Sequence, residues 1–425
     1  MMADPIAGAL ESRAAIHTDF LLLAYMPFYA LWPDPRTPLL LQVLAVASGV
    51  IPLWWLARKK LSPRLSAMVA VTYLAFPALE WSIIFDVHAV VLVTPLFLWA
   101  WWAASEKRWW LYGLTVGLAL LGKEEVGLVV AAMGVYWLWR RGYRTMGIAS
   151  VVAGLSWTIA MVEWVIPHAR QLPGHFALNY FSDYGSSYEA IIKGIIQHPL
   201  KVLGDVFGKT QLELMLMMLA PVGFVALLGW PILLVALPDL GINLLSNNAN
   251  QHTIFFQYMA VTTPFIFLAA IDGLTKVVRW HDRGRKTLSG YRRRTAILGL
   301  AAGVAVATVW WLSPLPFFHH GGDALTPFKA SPYLQDVKTV QRQLLATDKV
   351  AVTNNLGPQF SRREYIWAFP NSLDRADAVI VLTGGAYDVL PKEQIIAKVA
   401  QLANDSRFTL VLHDQDFWYF RRVAK

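Results

Sequence analysis

Two short segments, Ile84-Phe85-Asp86-Val87-His88 and Gly122-Lys123-Glu124-Glu125-Val126-Gly127, decide how this chain is read. Between them lie two strongly apolar runs joined by the charged bend Ser105-Glu106-Lys107-Arg108. An apolar helix that leaves a membrane, turns at that bend and returns brings both charged ends to one face. Asp86, His88, Lys123, Glu124 and Glu125 are therefore expected to gather at one membrane surface.

Composition supports that frame. Of 425 residues, 56% are hydrophobic and 15% charged, with a mean hydropathy of +0.43. Soluble domains average about 25% charged residues. The deficit falls in long apolar runs, the pattern of an integral membrane protein. Nineteen tryptophans and fifteen tyrosines suit interfacial aromatic belts. Cysteine is absent, which excludes disulfides and thiolate metal sites. Met1 to Thr18 is polar and lacks the apolar core of a signal peptide.

The runs alternate in a regular way. Phe20 to Leu31 is too short to cross about 30 Å of hydrocarbon and reads as an interfacial or re-entrant helix. Full spans follow at 39–57, 66–84 and 87–104; 109–121 pairs with 126–139, and 147–166 crosses again. Basic clusters occupy every second loop: Arg58 to Arg64, Lys107-Arg108 and Arg140 to Arg144. The positive-inside rule makes these cytoplasmic and turns the acidic segments outward. Residues 167–211 are expected as an exterior region of short interfacial helices, and 246–253 as a polar exterior loop. Two apolar runs from Leu212 to Leu245 should hinge at Gly229-Trp230-Pro231, and 254–278 should span inward. The basic run 279–294 reads as a cytoplasmic loop near anionic lipid rather than a nucleic-acid patch. A last span covers 295–312.

The expected fold class is thus mainly α: a polytopic helical membrane bundle of about ten apolar helices over 1–312, followed by a small α/β domain over 313–425. In that domain 349–353, 378–382, 408–412 and 418–421 read as strands, and 337–345 and 394–402 as helices. The loop count places it outside the cell membrane. Gly384-Gly385 follows a strand without the lysine or glycine pattern of a phosphate loop.

Ionisable residues at membrane depth usually face a cavity or a partner. Lys123, Glu124 and Glu125 can form a solvated loop or an ion pair that staples two helices. Alternatively, Asp86, Glu124 and Glu125 supply a general base, and Asp86 with Glu125 holds a divalent cation such as Mg or Mn. Lys123 and the histidines His17, His88 and His252 would meet phosphate on the same exterior side. Glu80 and Glu163 sit in or near apolar runs, where either would line that cavity. The sequence has no HExxH or GxSxG pattern for a zinc protease or serine hydrolase.

The order and spacing of several short motifs resemble a family known as domain of unknown function 2079. They are His17-x-Asp19-Phe20, Phe85-Asp86-x-His88, Lys123-Glu124-Glu125, Leu237-Pro238-Asp239 with Asn243, Tyr258 with Pro264-Phe265, and Arg362-Arg363-Glu364-Tyr365. That family is similar in turn to C-type glycosyltransferases. The resemblance implies transfer of a sugar from a polyprenyl-phosphate donor to an envelope acceptor at the exterior face of the cell membrane. Asp86, Glu124 and Glu125 would be catalytic, and Lys123, His88, His17, His252 and Tyr258 would bind substrate. It also implies a further carboxylate in a first exterior loop, after a helix expected ahead of His17, so Asp86 to Glu125 is expected as half a site. Ala89-Val90 stands where the family has an acid, and Lys123-Glu124-Glu125 replaces Lys-Glu-Asp. A transporter or flippase, or a scaffold for envelope assembly, is the alternative.

Overall fold

The computed structural model describes residues 2–3, 10–11, 14, 16–170, 176–284, 288–319, 331–384 and 390–423. Gly385 and residues 285–287 of the basic loop lie outside them. Among the described residues, five helices are long and apolar enough to cross a membrane.

The helices follow in chain order. Phe20–Leu31 (α1) is the short segment, a 3-10 turn leading into one and a half α turns. Arg36–Arg58 (α2) and Pro63–Phe85 (α3) are candidate spans. Ser62 caps α3 through Leu65 N–H at 3.4 Å, and Pro77 interrupts its helix after Ala75. Ala89–Ser105 (α4), Trp109–Leu120 (α5) and Val126–Arg141 (α6) are shorter. Arg144–Arg170 (α7) is long, with a π turn at Met161–Val165.

Beyond α7, Tyr188–Gln197 (α8), Pro199–Val206 (α9) and Lys209–Leu219 (α10) lead to the span Val225–Leu244 (α11). Thr263–Gly284 (α12) and Leu288–Leu312 (α13) complete the helical part. The helix expected as an inward span begins at Thr263, not Ile254, because 254–262 is irregular with a single 3-10 turn at Gln257–Met259, and it is not one of the five helices long and apolar enough to cross.

Two ends of the bundle are distinguished by their contacts. At one end Lys59 pairs with Glu106, and Asp272 receives Lys60 at 3.3 Å and Lys276 at 3.0 Å. Lys59, Lys60, Ser105, Arg140 and Asp272 line one cavity there. The basic loops therefore share an end, as their alternation requires. At the other end Gln42 bridges the Asp86 carbonyl and the His88 N–H, and Ser82 and Thr94 donate to the carbonyls of Phe256 and Ala260.

The expected hinge at Gly229-Trp230-Pro231 is not a turn. The chain reverses at Gly223-Phe224, both left-handed with φ near 62° and 59°, and α11 continues through Pro231. Pro231 falls in the first turn of its α-helical segment, where its missing N–H costs no helical bond. Gly229 serves packing instead: an added Cβ would overlap the Ala269 carbonyl on α12.

A second glycine seam joins α6 to α7. Gly127 faces Gly154 and Gly134 faces Gly147, about two helical turns apart on each helix. A Cβ at any of these would collide with the partner backbone or its neighbours. Small residues let two helices approach to backbone contact.

The C-terminal part is a five-stranded sheet of Val350–Val352 (β1), Ile366–Ala368 (β2), Ala378–Leu382 (β3), Phe408–Asp414 (β4) and Phe417–Arg422 (β5), in the order β2-β1-β3-β5-β4. β1 is parallel to β2 and β3, whereas β5 runs antiparallel between β3 and β4. Leu334–Gln343 (α14) packs Val337 and Val340 on Val350, Val352, Ile380 and Tyr419. Lys392–Ala403 (α15) covers the other face through Ile395, Val399 and Leu402 against Val379, Val381 and Phe420. Burial on both faces explains the unbroken apolar run of β3. Strand β2, flanked by Tyr365 and the Phe369-Pro370 bond, has no counterpart in the sequence-based expectation.

Candidate functional site

The turn between α5 and α6 carries Lys123-Glu124-Glu125. Glu124 is 5% exposed and held from three sides. His17 Nδ1 lies 2.9 Å from Oε1, and Thr18 donates its N–H and its hydroxyl to Oε2 at 3.1 and 3.3 Å. The Thr158 hydroxyl on α7 donates to the Glu124 carbonyl at 2.8 Å. Leu21 N–H meets the Leu121 carbonyl at 2.8 Å, which docks α1 beside the turn and carries His17 and Thr18 to Glu124. Lys123 Nζ pairs with Glu125 Oε1 at 2.6 Å.

The glycine seam sets the height of this turn. Thr158 lies about 14 residues, roughly 21 Å, along α7 from its basic end, and α7 runs on for about 18 Å more. Glu124 therefore stands level with the interior of a long span. The charged turn lies at the end of its own hairpin, because α5 has only 12 residues, but below the ends of its longer neighbours.

Further groups surround it. Asp239 on α11 is 4% exposed and accepts the Thr262 hydroxyl at 2.7 Å, with the charges of Lys123 and Glu125 bearing on it. Asn243, one turn on, donates to the carbonyls of Asp239 at 3.0 Å and Tyr258 at 3.3 Å. Burial pushes the Tyr258 phenol up, while neighbouring Lys123 pulls it down. Tyr188 of α8 is close enough to Glu163 and Glu124 that, after burial, both carboxylates push its phenol up. Glu163 sits in the π turn, a rare backbone form that recurs at functional sites.

The structure thus brings together His17, Lys123, Glu124, Glu125 and Tyr258. The segment after Asp86 and His88 packs on the turn: an added Cβ on Gly122 would meet the Val93 side chain and the Ala89 carbonyl. The Asp86 carboxylate accepts its own Val87 N–H at 2.6 Å. The His88 ring stacks on Phe85, which meets Phe256 edge to face. Phe256 in turn contacts Tyr258. His252 ends the turn Ala249–His252, and no described contact takes it to Lys123. Glu80 is buried beside Ser313, away from this group.

Asp239, Asn243, Thr18 and Tyr188 were not among the expected site residues. An acid one turn before an asparagine, inside the apolar run 232–245, was the available signal for the first two. Among the described residues no group of three or more His, Asp or Glu is placed to hold a metal ion. Glu125 is engaged by Lys123, and the Asp86 carboxylate by its own Val87 N–H.

A family model described as "Predicted membrane protein (DUF2079)" matches residues 1–408. No curated protein matches the chain.

Proposed function

The chain belongs to this predicted membrane protein family, and from that premise we propose that it transfers a sugar from a polyprenyl-phosphate donor to an envelope acceptor. The observation that carries the reading is Glu124, a carboxylate buried below the ends of the long neighbouring helices and oriented by His17 and Thr18 beside the Lys123–Glu125 pair. A lipid-borne substrate reaches a site set below the helix ends laterally from the bilayer, by a route that a soluble substrate does not take. In this reading the bundle's basic end faces the cytoplasm and the site end faces the exterior, with the C-terminal domain on the site side.

The acceptor hydroxyl oxygen attacks the anomeric carbon, and the bond from that carbon to the phosphate oxygen breaks. Glu124 takes the hydroxyl proton, with His17 holding its carboxylate in place. Lys123 meets the charge gathering on the departing polyprenyl phosphate. Asp239 and Asn243 position the 258–262 segment, and through it Tyr258, against the donor.

The test is incubation of the full chain, purified in detergent, with radiolabelled polyprenyl-phosphate sugars. Product that disappears in Glu124→Gln and Lys123→Ala supports the reading; loss on EDTA treatment, restored by Mg or Mn, adds a cation between Asp86 and Glu125. No product with any donor, while Glu124→Gln abolishes solute flux into proteoliposomes, replaces it with a transporter. That alternative draws on the same buried Glu124, since ionisable groups set among spanning helices also mark transport pathways.

A further inference from the structure

The helices α8 and α9 form a short arm beside the π turn of α7, and both are divided lengthwise. On α8, Ile191 and Gly194 face the protein. Its outward arc splits in two: Ile192 and Ile196 on one flank, Glu189, Lys193 and Gln197 on the other. On α9, Leu200, Leu203 and Phe207 form one exposed flank at 83%, 52% and 59% exposure. The other flank is polar and tied down: Lys201 pairs with Asp205 at 2.8 Å and reaches Asp183 at 3.8 Å, and the Tyr184 hydroxyl donates to Asp205. Lys201 also lies over the Tyr184 ring, 4.3 Å from its centroid.

An outward surface that is half apolar and half charged along its length suits neither bulk water nor the hydrocarbon core. It suits the boundary between them, where an amphipathic helix lies in the plane of the membrane. The surface is continuous with the lipid-facing side of α7, where Ile159 and Trp164 are 55% and 71% exposed. Glu163 and the outward face of α8 line one groove, so the arm and the span share an edge.

We propose that α8 and α9 are an arm seated in the lipid leaflet at the site end of the bundle, with Leu200, Leu203 and Phe207 among the acyl chains. Ile192 and Ile196 extend that apolar seat, and the Lys201–Asp205–Tyr184 cluster faces the headgroups. The arm begins at Tyr188, which lines the same groove as Glu163. Lipid, as well as protein, then holds one wall of the recessed site at its height. The inference rests on the exposed faces and holds whatever chemistry Glu124 performs.

The chain has no cysteine, so single-cysteine variants can be labelled without background. Leu200→Cys and Phe207→Cys, each carrying a bimane label in the full chain, are reconstituted in phosphatidylcholine–phosphatidylglycerol liposomes. Val152→Cys on the exposed side of α7 serves as the reference in lipid, and Lys201→Cys as the reference in water. Brominated acyl chains should quench the labels at 200 and 207 as strongly as that at 152, while aqueous iodide should quench the label at 201 most. Labels at 200 and 207 that follow iodide and ignore brominated lipid would overturn the proposal. Labels shielded from both quenchers would also overturn it and point to a second copy of the chain on this face.

Discussion

The two ends of the helical bundle carry the same kinds of charge and treat them differently. At the basic end Lys59, Lys60 and Lys276 meet Glu106 and Asp272 in pairs that remain partly open to solvent. Pairs of that kind contribute little, typically below about 1 kcal/mol. At the opposite end Glu124 and Asp239 are buried and held by hydroxyls, a backbone N–H and an imidazole. Burying a carboxylate is costly unless hydrogen bonds compensate it. The first set stays within reach of solvent and needs no such compensation. The second set keeps carboxyl groups out of solvent by satisfying them with hydrogen bonds from remote parts of the chain.

The contrast can be broken most severely at the seam that sets the height of Glu124. Gly154→Leu should cost about 3 kcal/mol or more, since the obstructing atoms are backbone and cannot turn aside. Thermal unfolding in detergent reads the loss, and an unchanged midpoint would refute the close approach of α6 and α7.

A smaller effect should come from the recessed ion pair. Lys123→Ala leaves Glu125 facing Glu124 and should destabilise by about 2 kcal/mol, less than a fully buried pair would lose. The double variant Lys123→Ala with Glu125→Ala should recover part of that, and additive losses would show the pair to be uncoupled.

The smallest effect belongs to the basic end. Lys60→Gln removes one of two cations from Asp272 and should shift stability by roughly 0.5 kcal/mol or less, fading in high salt. A loss as large as that from Lys123→Ala would erase the distinction between the ends.

Much of this was legible in the chain. The alternation of basic loops anticipates which loops share an end, and four strands of the C-terminal sheet stand out as short apolar runs between polar ones. The reversal at Gly223-Phe224 was not legible, because it places a phenylalanine in the left-handed region, which bulky residues seldom adopt. Gly229-Trp230-Pro231 has the composition of a turn, but its glycine is spent on contact with α12. Strand β2 escaped notice because Ile366–Ala368 runs straight into Phe369-Pro370, a dipeptide that reads as a turn.

For the site, the Lys123-Glu124-Glu125 cluster was visible and so was His17, but their partners are remote in sequence. Thr158 and Asp239 come to the turn only through helix packing, which local pattern does not encode. His88 reaches the cluster's Tyr258 by way of Phe85 and Phe256, a chain of ring contacts that no local sequence pattern encodes.

The π turn in α7 has a consequence for phase. Such a turn adds roughly one residue to a helix and rotates everything beyond it by about 100° relative to an unbroken α-helix. Gly147 and Gly154, on the near side, seal against α6. Glu163, inside the turn, is directed to the groove shared with α8. One span thereby serves two neighbours in different directions, and removing a single residue from 161–165 would bring its upper part back into the orientation of its lower part.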